Sequence, residues 1–156
     1  MADRMPPRLA AGERETLLAL LQFQRDSLAL KLADLDEAAA RRELVGSGTT
    51  LLWLAKHLTG AEYRWIVDRF AGQDIEVEDA LTDADTIASV LDGYRAAWAR
   101  TDAIVAAASS LDEGCRRTDA VAINLRWVLM HLLEETARHA GHADILREQI
   151  DGQTGR

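Results

Sequence analysis

The segment LRWVLMHLLEETARHAGHADILREQIDG, residues 125–152, contains no proline and carries apolar residues nearly all round a helical period. That pattern predicts a helix from near Asn124 to Ile150 that packs against several partners at once, as a rod inside a bundle does. Its partners are legible upstream. Ile87, Val90, Leu91, Tyr94, Ala97, Trp98, Thr101, Ile104, Val105 and Ala108 give the cleanest one-faced pattern in the chain. They predict a helix of about 25 residues, followed by a turn over Leu111 to Asp119. Leu17, Leu20, Leu21, Leu28, Leu32 and Leu35 recur every three or four positions and predict a first helix from about Glu15 to Arg41. Gly46-Ser47-Gly48-Thr49 is a short loop whose hydroxyls can accept from the free amides opening a second helix, roughly Thr50 to Phe70, closed by Ala71-Gly72.

Between the second and third helices, Gln73 to Asp83 carries Asp74, Glu76, Glu78, Asp79 and Asp83. It reads as a solvated connection long enough to cross over between helices that are not neighbours, with Asp83 or Asp85 as the cap of the third helix. The tail Asp151 to Arg156 is expected to fray. Both prolines sit at Pro6 and Pro7, so the strongest helix breaker is missing from the rest of the chain, and no strand signal or internal repeat is present. The expectation is all-α: a single domain over residues 1–156, built as a four-helix bundle with its long crossover between helices 2 and 3.

Composition narrows the function. The chain has 156 residues, 48% hydrophobic and 28% charged, enough to bury a core and solvate an exterior. Acidic residues number 26 against 18 basic, a net charge of −8, which gives no general attraction to nucleic acid or to anionic membrane surfaces. The opening MADRMPPRLAAGERE lacks the continuous apolar stretch of a signal peptide, and no apolar run elsewhere reaches the roughly 20 residues of a membrane span. A single cysteine, Cys115, excludes an intrachain disulfide and fits a cytoplasmic location.

All four histidines fall in two of the helices: His57 in the second, and His131, His139 and His142 in the last. At about 100° per residue, Glu135 and His139 project from one side of the last helix, with His131 and His142 within roughly 40° of Glu135. Val128 and Leu146 share that wedge, so the polar cluster points toward the interior. An ionised carboxylate withdrawn from water needs a partner, and a metal ion can neutralise Glu135 while accepting lone pairs from neutral imidazoles. Glu135 and His139, one turn apart, can reach one ion. The third ligand has to come from another helix, and His57, on a face with Trp53, Leu54 and Ala61, is the histidine available. The candidate metal ligands are therefore His57, Glu135 and His139. His131 and His142 are candidates for proton transfer or substrate contact.

Each of these residues also has a plain structural role open to it. His57 beside Trp53 suits a core histidine bonded to a carbonyl, and Glu135 has ion-pair candidates in Arg138 and Arg64. Trp53, Trp65, Trp98 and Trp127 read as packing residues. Cys115 has Arg116 and Arg117 beside it to lower a thiol pKa but no neighbouring histidine to act as base, and reads as incidental. The chain has no glycine-rich phosphate loop, nucleophile elbow or Cys-x-x-Cys pair.

LLWLAKHLTGAEYRW (Leu51 to Trp65) and the segment Leu125 to Gly152 resemble the DinB superfamily of metal-binding four-helix bundles. The pattern Glu135-x-x-x-His139-x-Gly141-His142 is the most specific part, and the branch it most resembles is related to mycothiol-dependent maleylpyruvate isomerase. The resemblance implies an up-down-down-up topology, frequent dimers, and ligation by the second and last helices at His57, Glu135 and His139. It also implies a divalent ion, commonly zinc or nickel, used with a low-molecular-weight thiol such as mycothiol. Many relatives carry histidine in place of Glu135 and glutamine in place of His142.

The function expected is thiol-dependent transfer to, or isomerisation of, a small electrophile at a metal with an open coordination position. The same two-histidine, one-carboxylate set also suits a non-haem iron oxygenase. From a different class, a non-catalytic stress-related bundle with a structural metal fits the same residues. The partners expected are a small-molecule substrate and a second copy of the chain, with neither nucleic acid nor membrane.

Overall fold

A computed structural model describes residues 5–117 and 121–155. Thr118 and Asp119 of the expected turn, and Arg156 of the expected frayed tail, lie outside the described residues. Five α-helices follow in order: α1 (Glu13–Lys31), α2 (Glu37–Ala40), α3 (Leu51–Glu62), α4 (Ile87–Ala107) and α5 (Leu125–Asp151). A π-helical segment, Tyr63–Phe70, continues α3. Among the described residues there is no strand, only an isolated bridge between Gly114 and Asn124.

Local chemistry explains where the long rods begin. Thr50 Oγ1 accepts from the Trp53 amide at 3.1 Å and opens α3, as the hydroxyl-rich loop implied. Asn124 caps α5 in the same way, and Gly152, at φ 77°, ends it in the left-handed conformation that glycine adopts without strain. The cap of α4 is Thr86, in a reciprocal capping box with Ser89, rather than Asp83 or Asp85. Asp85 is engaged elsewhere, accepting from Lys56 Nζ at 2.8 Å and from the Thr82 amide at 2.7 Å.

The first helix departs from its expected span. It stops at Lys31 instead of running to Arg41, and Asp34 turns the chain at φ 59°. The cause is tertiary: the buried guanidinium of Arg147, from α5, donates to the carbonyls of Lys31 at 2.9 Å and Ala33 at 2.7 Å, satisfying acceptors that a longer helix would have used internally. Asp36 then caps the short α2.

Side-chain pairs between the rods give their directions. Glu13 with Arg126 and Lys31 with Asp144 set α1 parallel to α5. His57 with Glu135 and Trp65 with Trp127 set α3 antiparallel to α5. Lys56 with Asp85 and Glu62 with Thr101 set α3 parallel to α4. The four long rods therefore run up, down, down, up. Two parallel neighbours can be joined only by a chain that travels the bundle's length, and residues 71–86 do so.

The core is aliphatic, with Leu28, Leu52, Leu58, Ile66, Leu132 and Leu146 among its buried members. Val128 and Leu146, on the wedge with Glu135, are buried as expected. A polar knot lies inside it. Arg25, from α1, is fully buried and donates through Nε and Nη2 to the two oxygens of Glu62, at 2.7 and 2.9 Å, while Thr101 Oγ1 donates to the second oxygen at 2.6 Å. Burial works against the guanidinium's charge, but Glu62 and then Asp102 outweigh it and hold the Arg25 pKa above its ordinary value. Among the tryptophans, Trp53, Trp65 and Trp98 pack against the core, whereas Trp127 is 44% exposed.

Candidate metal centre

Helices α3 and α5 cross with His57 facing Glu135 and His139. Both ring Nε2 atoms address one oxygen: Glu135 Oε1 lies 3.2 Å from His57 Nε2 and 3.0 Å from His139 Nε2. One donor atom from each of the three residues falls within 4.8 Å of the others, so the trio anticipated from spacing converges. The Trp53 ring stacks on His57 at 4.8 Å and 16°, and the His57 and His139 rings meet edge to face at 4.9 Å. Packing thus fixes each ring plane before any ligand arrives. The side chains remain 12–20% exposed, which leaves the cluster reachable from outside.

The electrostatics follow from that enclosure. Burial works to raise the Glu135 pKa, but hydrogen bonds and charge from His57 and His139 prevail and hold it below the ordinary value. For His139, burial disfavours the imidazolium and the charges of His57 and His142 add to this, so its pKa is lowered despite Glu135. An ionised carboxylate beside a neutral imidazole is the protonation state a cation requires.

The donor set passes a chemical test for such an ion. Two imidazoles and one carboxylate suit zinc, nickel or ferrous iron. Without a cation, Nε2–H groups donate to Glu135 Oε1. With one, the Nε2 lone pairs must face the ion and each ring proton moves to Nδ1. Both Nδ1 atoms have a possible acceptor nearby: His139 Nδ1 is 3.2 Å from His142 Nδ1, and His57 Nδ1 is 3.9 Å from Asp79 Oδ2.

His142 is thereby joined to the trio through His139. It also lines a cavity of about 210 Å³ with Val45, Ser47, Thr49, Ile145 and Leu146. His131 lies one turn from Glu135 but belongs to an aromatic cluster, stacked on Trp127 at 5.1 Å and edge-on to Trp65 at 4.5 Å. Of the ion-pair candidates for Glu135, Arg138 reaches Oε2 at 3.3 Å. Arg64 turns away to Asp79 Oδ2 at 2.6 Å. Cys115 is buried, and burial raises its thiol pKa against the charge of Arg69.

The acidic crossover is not simply solvated. Its Asp74, Asp79 and Asp85 pair with Arg117, Arg64 and Lys56 and tie the connection to the bundle. Asp79 is the neighbour of the trio that sequence reasoning missed. The local sign of it was Gly60, a glycine inside a helical pattern, where a Cβ would run into the Asp79 carboxylate.

This up-down-down-up helical bundle, with a histidine and carboxylate cluster between its second and last rods, belongs to the DinB superfamily. Within it, the family model described as mycothiol-S-transferase matches residues 16–152, and the chain is a member of that family. Two solved structures share the fold. A conserved protein from Enterococcus faecalis superposes with a TM-score of 0.68 at 16% identity, covering 92% of this chain and 100% of its own. A DinB-like protein from Bacillus cereus gives a TM-score of 0.68 at 18% identity, covering 86% of this chain and 91% of its own. No curated protein matches the chain significantly. Among the described residues, no helix is long and apolar enough to cross a membrane.

Proposed function

We propose that this protein is a divalent-metal-dependent thiol S-transferase, in which His57, Glu135 and His139 hold zinc or nickel and join a mycothiol-like thiol to a small electrophile. The observation that carries the reading is the convergence of three donor atoms from two helices within 4.8 Å. A divalent ion held there stabilises a thiolate at neutral pH. The chain's own residues supply the rest. Trp53 and the edge-to-face contact hold the imidazoles in place, and Glu135 provides the negative charge that favours a cation. We assign the thiol proton to His142, which stands between His139 and the cavity beside Val45 and Ile145. The sulfur then bonds to the electrophilic carbon and the leaving group departs with its electron pair, or, in an isomerisation, the thiol is released again. His131, held between two tryptophans, is the less suited proton carrier. A homodimer in the cytoplasm belongs to the same reading.

The test is elemental analysis of protein reconstituted with zinc or nickel and dialysed, followed by metal-dependent loss of thiol with a panel of electrophiles. Wild type should retain a single ion, and His57→Ala and Glu135→Ala should retain background. Variants holding as much ion as wild type would overturn the site. The donor set is equally that of a ferrous facial triad; oxygen consumption by the iron-loaded protein, without thiol turnover, would favour that chemistry instead.

A further inference from the structure

We propose that Asp79 is a positioning residue of this centre: its carboxylate, 3.9 Å from His57 Nδ1, is the acceptor that keeps the ring proton on Nδ1 and so commits the Nε2 lone pair to the space shared with Glu135 and His139. The inference rests on the metal-holding reading above and adds to it a residue from the crossover.

Three observations converge on Asp79. Its Oδ2 lies 3.9 Å from His57 Nδ1, on the opposite side of the ring from Glu135. Arg64 Nη1 donates to the same oxygen at 2.6 Å, so the carboxylate is clamped in place without drawing on the charge of Glu135. The other oxygen, Oδ1, sits buried in the Gly60 notch with no hydrogen-bond partner among the described residues, so the carboxylate as a whole has acceptor capacity left over.

The seat of this carboxylate is built into α3. At Gly60 the helix has no side chain, and the Asp79 carboxylate and Val77 occupy the space a Cβ would fill, with Arg64 Nη1 at 3.1 Å from the same point. His57, Gly60 and Arg64 succeed one another at helical spacing, so one stretch of helix supplies the ring, the notch and the clamp. Lys56, on the same helix, binds the crossover again at Asp85. The crossover is thereby fastened on either side of His57, and its course brings an acid to the nitrogen of His57 that the trio leaves free.

A carboxylate behind a metal-binding histidine fixes the tautomer and raises the ring's basicity, and its loss commonly weakens metal binding about 10- to 100-fold. The experiment measures zinc dissociation constants of the full chain by competition with a chromophoric chelator. Asp79→Asn, Asp79→Ala and Gly60→Ala should each bind about 10- to 100-fold more weakly than wild type. Asp74→Asn, a crossover acid paired with Arg117 and 97% exposed, should not change. A second readout is independent of affinity: in zinc-loaded wild type, the His57 Nδ1 proton should exchange slowly with solvent by NMR, and in Asp79→Ala measurably faster.

Wild-type affinity in Asp79→Ala and Gly60→Ala, with unchanged exchange at Nδ1, would overturn the inference. Glu135→Gln separates the two levels. If it loses zinc while the Asp79 variants do not, only the role of Asp79 falls; if it binds zinc like wild type, the metal centre falls and this inference with it.

Discussion

Glu62 and Glu135 are both carboxylates drawn into the bundle, one on the second rod and one on the last, and they are satisfied in opposite ways. Glu62 is 1% exposed, with its oxygens taken by Arg25 and Thr101, donors whose protons do not leave near neutral pH. Glu135 is reached through Oε1 by two imidazole nitrogens that can donate a proton or present a lone pair. The first cluster is closed and has one state. The second is open and has several, which is the condition for admitting a cation. His57 and Glu62 lie five residues apart on α3, about 140° around its axis, so one helix serves both clusters from different faces.

The largest test of this contrast removes one charge from the closed cluster. Glu62→Gln leaves the buried Arg25 guanidinium with only the half-exposed Asp102 as counter-charge and should cost about 3 kcal/mol of folding stability. Replacing both partners together, as in Arg25→Met with Glu62→Leu, should recover most of that loss. Glu135→Gln, whose neighbours are imidazoles able to change tautomer, should lower the stability of the metal-free protein far less. Urea titrations of the four proteins read out the difference, and equal losses for Glu62→Gln and Glu135→Gln would erase it.

A smaller effect comes from titration of the open cluster. Glu135 and His139 both have pKa values below the ordinary ones, so the folded state resists protons that the unfolded chain accepts. Each contributes stability above its ordinary value, lost as pH falls through the depressed one. The metal-free protein should therefore weaken as pH falls below about 6.5, through His139, and again through the carboxylate range. His139→Gln should remove the first phase, and Glu135→Gln should reduce the second, which it shares with carboxylates such as Asp85 and Asp151. With zinc at about 100 times its dissociation constant, the added stability is about 2.7 kcal/mol, and it should fade over the acid range as protons displace the ion. A pH-independent zinc effect would break the link between these residues and the ion.

How far the sequence could be read follows the same division. The four rods and the inward face of α5 were legible because a helical period is a local signal, and it put Glu135, His139 and His57 on faces that meet. It also placed His131 on the right face, but a face does not name a neighbour, and Trp65 and Trp127 claim that ring. The early end of α1 depends on Arg147, 116 residues away in the chain, and no leucine spacing can encode it. The Arg25–Glu62 pair spans 37 residues, and Asp79 lies in a connection whose path has no period at all. Local pattern gives faces; partners across elements are set by packing.

The smallest expected effect separates the stability of α3 from the integrity of the candidate metal centre it carries. Thr50 caps this helix through its bond to the Trp53 amide, and Thr50→Ala should cost about 1 kcal/mol, a fall of about 2–4 °C in Tm for a chain of this size. His57 stands about two turns beyond the cap, where stacking on Trp53 and contact with His139 hold it whether or not the first turn frays. Zinc affinity should therefore stay within about 2-fold of wild type, a change of less than about 0.5 kcal/mol, while Tm falls. If affinity drops in step with Tm, the centre is positioned by the helix as a whole rather than by the rings and carboxylates around it, and the open cluster is no more independent of the fold than the closed one.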